Sequence, residues 1–202
     1  MKILRDATEA EMIEEYLFAE LESTRFNEKL MDALTLINID SQIIKVANLE
    51  SENENLLRKQ VLASYRGYGI NQHMFENFPN VTRWFYGECN ISDIDKIHYI
   101  NYSYWNELSK NTNLPRVAAQ TINEGIKIYD IPNDNAIQGK KYLLDGNTFR
   151  PVILITSDFS EYIIIEGHSR MTVYGLIPEK FDKTHCYIGK CNENELRRWN
   201  GK

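Results

Sequence analysis

The chain has 202 residues, 43% hydrophobic and 26% charged, an ordinary balance for a globular protein with one sizeable core or two small ones. No apolar run approaches the ~20 residues that span a bilayer, no low-complexity tract or internal repeat is present, and three cysteines are too few for a disulfide framework. The formal charge of −6 sits in residues 1–110, which hold 11 Lys/Arg against 18 Asp/Glu, while 111–202 hold 12 against 11; extended contact with DNA or RNA, and with it a nuclease activity, is therefore disfavoured.

Met1 to Asp6 turns acidic without the apolar stretch of a signal peptide. A cytoplasmic protein with free thiols at Cys89, Cys186 and Cys191, and no membrane association, is the expectation. Thr8-Glu9-Ala10-Glu11 reads as a capping box, and Met12, Ile13, Tyr16, Leu17 and Leu21 follow at helical spacing. Phe26, Leu30, Ala33, Leu34 and Ile37 give a second helical stripe. Ile43 to Leu49 fits a short helix or a strand equally. Ser51 with Glu54 repeats the capping box ahead of Leu56, Leu57, Val61 and Leu62, and Gly67 offers a stop.

Eleven of the 23 aromatic residues fall between Tyr65 and Trp105. An aromatic core where helices meet is the simpler reading; a groove for a peptide or stacked bases, flanked by Arg66-Gly67-Tyr68-Gly69, is the sharper one. A helix over 102–110 leads into Asn111-Thr112-Asn113-Leu114-Pro115, a polar, proline-ended loop that marks the best domain boundary. The expected organisation is a helical region over 1–111, aromatic-rich from 65, followed by a small α+β domain over 112–202.

Within that second part the pattern predicts a short helix at 117–122, a strand at 126–129 and a helix at 135–142. Val152 to Ile155 and Tyr162 to Ile165 are β-rich runs joined by a polar turn, as buried strands are. The second run enters Glu166-Gly167-His168-Ser169-Arg170, after which Met171, Val173, Tyr174 and Leu176 repeat at helical spacing up to Pro178. A strand at Cys186 to Ile188 and a helix capped by Asn192 close the chain.

A strand that feeds a helix through Gly-His-Ser aims free backbone N–H groups and the positive end of the helix dipole at one point, which suits an anion. Gly167 permits close approach, Ser169 can donate its hydroxyl, Arg170 can fork onto a phosphate, and His168 can bond phosphate or carry a proton near neutral pH. Glu166 is a candidate base or Mg²⁺ ligand, with Asp130, Asp145 and Asp158 as unranked acidic partners. As a bare pattern the same turn serves equally as a structural element, with Arg170 paired to a carboxylate. His185, Cys186 and Cys191 lie close together but lack the four ligands of a zinc site, so no zinc is expected. Lys140-Lys141 could add charge to a phosphate pocket, but a solvated helix face is the simpler reading.

The stretch Arg150-Pro151-Val152-Ile153-Leu154-Ile155, then Tyr162-Ile163-Ile164-Ile165-Glu166-Gly167-His168-Ser169-Arg170-Met171-Thr172-Val173-Tyr174, resembles the ParB/sulfiredoxin superfamily over the last ~80 residues, and the expected strands at Ile126 to Tyr129 and Cys186 to Ile188 fit the same order. In that superfamily a Pro-led strand, a hairpin strand and a Gly-x-x-Arg helix start form a nucleotide-phosphate site. The resemblance implies that Gly167 is the motif glycine and Arg170 the phosphate-binding arginine. His168 stands where sulfiredoxin has its catalytic cysteine, which removes that nucleophile, and Gly-His-Ser-Arg is closest to the Gly-His-His-Arg of the free-serine kinases. Their catalytic glutamate has no counterpart that the sequence identifies.

Two functional classes follow. One is a small phosphotransferase or nucleotide hydrolase that uses Mg-nucleotide, ATP or CTP, with Glu166 or His168 handling a proton. The other is a non-catalytic binding or regulatory module for a small phosphorylated ligand, whose helical region contacts a protein partner. In both, Arg170 is expected to be mainly a ligand contact.

Overall fold

The computed structural model describes residues 1–201. It is an α+β protein whose chain forms two compact units, one of residues 7–80 and one of residues 1–6 with 81–202. The division falls at residue 80 and not at the expected 111. The loop at 111–115 lies inside the larger unit, where the Asn113 carbonyl accepts from the Tyr99 N–H at 2.8 Å.

The smaller unit is helical: α1 (Glu9–Leu21), α2 (Asn27–Leu36), α3 (Gln42–Lys45) and α4 (Glu52–Arg66). Thr8 opens α1 with the capping box read in the sequence, its side chain accepting from the Glu11 N–H while Glu11 accepts from Thr8 N. Ser51 caps α4 by accepting from the Glu54 N–H, but the expected box does not close, because the Glu54 carboxylate accepts from the Asn48 N–H instead. Met12, Leu17, Leu30, Leu34, Ile44, Val61 and Leu62 form the apolar interior. Gly67 ends α4 at φ +86, and a Cβ there would lie 2.0 Å from the Gln72 carbonyl oxygen, so Arg66-Gly67-Tyr68-Gly69 begins as a helix cap. Arg58 is fully buried and donates to the carbonyls of Ile43 and Asn48 at 2.9 and 3.0 Å, tying α3 and its loop to α4.

The larger unit is built on a six-stranded mixed sheet. Its strands are β1 (Lys2–Ala7), β2 (Val81–Cys89), β3 (Ile97–His98), β4 (Val152–Thr156), β5 (Tyr162–Glu166) and β6 (Thr184–Cys191), in the order β1-β2-β6-β4-β5-β3. β6 runs antiparallel to β2 and parallel to β4; β5 is antiparallel to β4 and parallel to β3. Every residue of β4 is buried, as its unbroken apolar run predicts. The helices of this unit are α5 (Ser103–Leu108), α6 (Pro115–Asn123), α7 (Asp134–Leu144), α8 (His168–Leu176) and α9 (Glu193–Asn200). Small residues set the helix contacts: a Cβ on Gly175 of α8 would meet the Ala119 Cβ of α6 at 2.9 Å, and one on Gly139 of α7 would meet Val173 of α8 at 2.8 Å.

Two local expectations are corrected. Residues 126–129 do not form a strand: Ile128 makes one isolated bridge to Ile131, and Tyr129 and Asp130 take left-handed φ angles of 51° and 57°, which break an extended run. The aromatic-rich segment is not one helical core. It contains β2, and its rings divide among a Tyr68–Phe75–Phe78 cluster in the helical unit, Trp84, Phe85 and Tyr86 on β2, and Tyr99, Tyr104 and Trp105 around His168.

Candidate functional site

The turn between β5 and α8 brings all five predicted site residues together. Gly167 is the N-cap of α8 at φ +103, a left-handed conformation that side chains disfavour, and a Cβ there would come within 2.6 Å of Val152 Cγ1 on β4. No side chain caps α8. The first N–H groups of an α-helix, here those of His168 and Ser169, have no acceptor within the helix, and Ser169 is exposed.

Glu166 and Arg170 are bonded into the chain. The Arg170 guanidinium donates through Nη2 to Glu166 Oε1 at 2.7 Å and through Nη1 to the carbonyls of Arg150 and Pro151 at 2.9 and 2.5 Å. The other carboxylate oxygen of Glu166 accepts the Gly167 N–H. The expectation that the Arg170 head is mainly a ligand contact is therefore corrected: it clasps the end of β5 and the start of α8 to the approach to β4.

His168 stacks on Trp105 with ring centroids 5.2 Å apart and planes 14° from parallel, and on Tyr99 at 5.9 Å and 19°. Its Nε2 is buried and takes no partner from the described residues. Burial holds the imidazole pKa down at about 4; Glu166 raises it somewhat and Arg170 lowers it. At neutral pH the ring is uncharged. Beneath it, the Thr172 hydroxyl donates to the His168 carbonyl at 2.8 Å, and Tyr99 must then donate to Thr172 Oγ1 at 2.7 Å. Burial pushes the Tyr99 hydroxyl pKa well up, and this chain fixes the aromatic stack against α8.

The other predicted groups lie elsewhere. Asp158 sits in the β4–β5 turn and accepts from the Ser160 N–H and hydroxyl at 2.9 and 2.7 Å, bonds that lower its carboxyl pKa. Asp130 occupies the left-handed turn before α7, and Asp145 follows α7. His185 stacks on Tyr86, and Cys191 Sγ contacts the Thr156 carbonyl at 3.5 Å. Among the described residues no group of three or more His, Cys, Asp or Glu side chains is arranged to hold a metal ion, and no helix is long and apolar enough to cross a membrane. Sequence reasoning passed over the asparagines at 101, 106, 113 and 200, which line a polar cavity in this unit; their scattered spacing gave no motif.

No family model, curated protein or solved structure matches the chain.

Proposed function

We propose that the chain is a non-catalytic binding module that takes a small phosphate-bearing ligand at the start of α8. The observation that carries this reading is the left-handed Gly167 leading into a helix without a side-chain cap. The N–H groups of His168 and Ser169, the Ser169 hydroxyl and the helix dipole would hold the phosphate. Mg-nucleotide, as ATP or CTP, is the ligand class that the superfamily resemblance favours. Catalysis is the poorer fit, because Glu166 is paired with Arg170 and His168 is uncharged and packed against the stacked rings of Trp105 and Tyr99. The helical unit exposes Leu36, Val46 and Leu56, but singly exposed apolar side chains are ordinary, so a protein partner adds nothing to the reading.

The test is titration calorimetry with Mg-ATP, Mg-CTP and inorganic phosphate, followed by product analysis. At least one should bind, Ser169→Ala should weaken it by roughly three- to tenfold, and Ser169→Glu should abolish it by setting a carboxylate at the same point. Absence of binding by all three rejects the reading, and turnover would make the site an enzyme's. A second reading, a purely structural clasp, is favoured by the bonds of Arg170 to Glu166, Arg150 and Pro151. It expects no ligand and a stability loss on cutting Arg170.

A further inference from the structure

Six of the fifteen large apolar or aromatic side chains that stand exposed among the described residues fall between positions 126 and 144: Ile126, Tyr129, Ile131, Ile137, Tyr142 and Leu144. A single exposed apolar side chain is ordinary; a run of them over one turn and the helix it enters is not. The turn and α7 are joined through Asn133, which donates from Nδ2 to the Ile126 carbonyl at 2.9 Å while its own carbonyl accepts from the Ile137 N–H at 3.0 Å.

The sides of α7 differ. Ala136 and Leu143 are buried, and Gly139 lies against Val173 of α8. Tyr142 stacks on Phe149. Asp134, Ile137, Lys141 and Leu144 recur at steps of three and four residues and so share one stripe. All four are exposed, Ile137 by 58% and Leu144 by 49%. Among the described residues neither Asp134 nor Lys141 makes an ion pair. An acid in the first turn and a base in the last suit the dipole of their own helix, which accounts for the two charges but not for the isoleucine and leucine set among them.

We propose that this stripe pairs with the same stripe of a second copy of the chain, antiparallel about a two-fold axis beside Ile137. Asp134 lies three positions before Ile137 and Lys141 four after it, so the axis sets Asp134 level with the partner's Lys141, and Lys141 level with the partner's Asp134. The two copies of Ile137 meet across the axis, offset by about 1.5 Å. Leu144 extends past the start of the partner's helix, toward the turn that exposes Ile126 and Ile131. An apolar centre with opposite charges on its two sides is self-complementary, as a two-fold contact requires, and antiparallel packing also opposes the two helix dipoles. With 11 residues, α7 is about 16 Å long and cannot alone bury the ~800 Å² per partner of a stable complex. The dimer is therefore weak, with a Kd on the order of 10–100 µM. The stripe shares no residue with the α8 turn, so the pairing is independent of the phosphate reading.

Sedimentation equilibrium of the full chain from ~5 to ~500 µM tests this. The average mass should rise with concentration toward twice that of the monomer. Ile137→Asp sets two carboxylates together at the axis and should raise Kd roughly tenfold or more. Asp134→Lys alone opposes lysines on both sides of the axis, and Lys141→Asp alone opposes aspartates; each should raise Kd about fivefold or more. An equimolar mixture of these last two variants restores both opposite-charge pairs in a heterodimer, and should associate to within about threefold of the wild type. Recovery on mixing is a readout that damage to the helix itself would not give, and far-UV circular dichroism checks that each variant keeps its helix. A chain that stays monomeric at ~500 µM overturns the proposal, and the stripe then serves a different protein or none. Single variants that associate like the wild type also overturn it, as does a mixture that associates no better than its components.

Discussion

Arg170 Nη2 donates to Glu166 Oε1 at 2.7 Å across one turn, so the residue that ends β5 and the third residue of α8 form one ion pair. Through Nη1 the same guanidinium reaches the carbonyls of Arg150 and Pro151, some twenty positions earlier, where the chain enters β4. Cutting this clasp removes the arginine donor from the Glu166 carboxylate, which keeps the Gly167 N–H, and from two carbonyls. Arg170→Ala should lower stability by about 2–3 kcal/mol, below the ~3–5 of a fully buried pair, because the two side chains keep 14% and 22% exposure. Arg170→Lys should recover less than half, since an ammonium cannot fork across three acceptors. Urea denaturation reads both, and an alanine variant as stable as the wild type would mean the clasp contributes nothing.

His168 makes stability acid-sensitive. In the unfolded chain the imidazole takes a proton below its ordinary pKa of 6.5; in the folded chain it does so only near 4. Between those values the unfolded state binds more protons, so stability is present above pH 6.5, is lost as pH falls toward 4, and levels off below. His168→Phe keeps an aromatic ring in the stack and removes the titration. Between about pH 7 and pH 4.5 the wild type should lose about 2 kcal/mol more than this variant. Parallel urea curves at the two pH values check it, and equal losses would show that the ring titrates normally.

The parts of the fold that sequence reveals are those whose cause is local. Thr8 and Glu11 cap each other within four residues, and Val152 to Ile155 and Tyr162 to Ile165 are rich in apolar side chains because both faces of their strands are covered. β1 leaves no sequence signal, because Ile3 and Leu4 are exposed and show no buried alternation. β2 was hidden by its aromatics, which suit a helix interface equally well. The five site residues are contiguous, so their meeting was legible, but the acceptors of Arg170 were not. They come from a distant segment, and Arg-to-phosphate and Arg-to-carbonyl geometries demand the same side chain. The bond from the Asn101 N–H to Asn200 Oδ1 joins residues 99 positions apart in the chain, so no local pattern announces it.

Gly167 carries two constraints that one substitution separates. Its φ of +103 is unfavourable for any side chain, and the space its Cβ would take is held by Val152 Cγ1 at 2.6 Å. Gly167→Ala should therefore cost about 2–4 kcal/mol, combining backbone strain with overpacking. In the Gly167→Ala/Val152→Ala double variant the steric part is relieved while the backbone part and a new small cavity remain. The double variant should thus be destabilised by less than the sum of the two single changes, as a thermodynamic cycle on thermal or urea unfolding will measure. Strict additivity would remove the contact with Val152 from the explanation.

The cysteines give a prediction that depends on packing. Cys89, Cys186 and Cys191 are free and buried, at 1%, 0% and 6% exposure. A hydrogen bond with Cys89 and burial push the Cys186 thiol pKa up, and burial, with Glu195 adding, moves Cys191 to about 11. The reactive species is the thiolate, and for Cys191 at pH 8 that is only ~0.1% of the population, against about a quarter for an ordinary thiol of pKa ~8.5. Burial slows attack further, because reagent reaches the sulfur only when the surrounding strands open. With iodoacetamide at pH 8, the native protein should show almost no mass increase over a time in which the urea-unfolded protein takes up three carbamidomethyl groups. Native labelling should accelerate with sub-denaturing urea in step with unfolding. Fast uptake at Cys186 in the native protein would mean that β6 is accessible and the centre of the sheet is looser than its packing implies. Fewer than three groups on the unfolded, unreduced chain would reveal a disulfide.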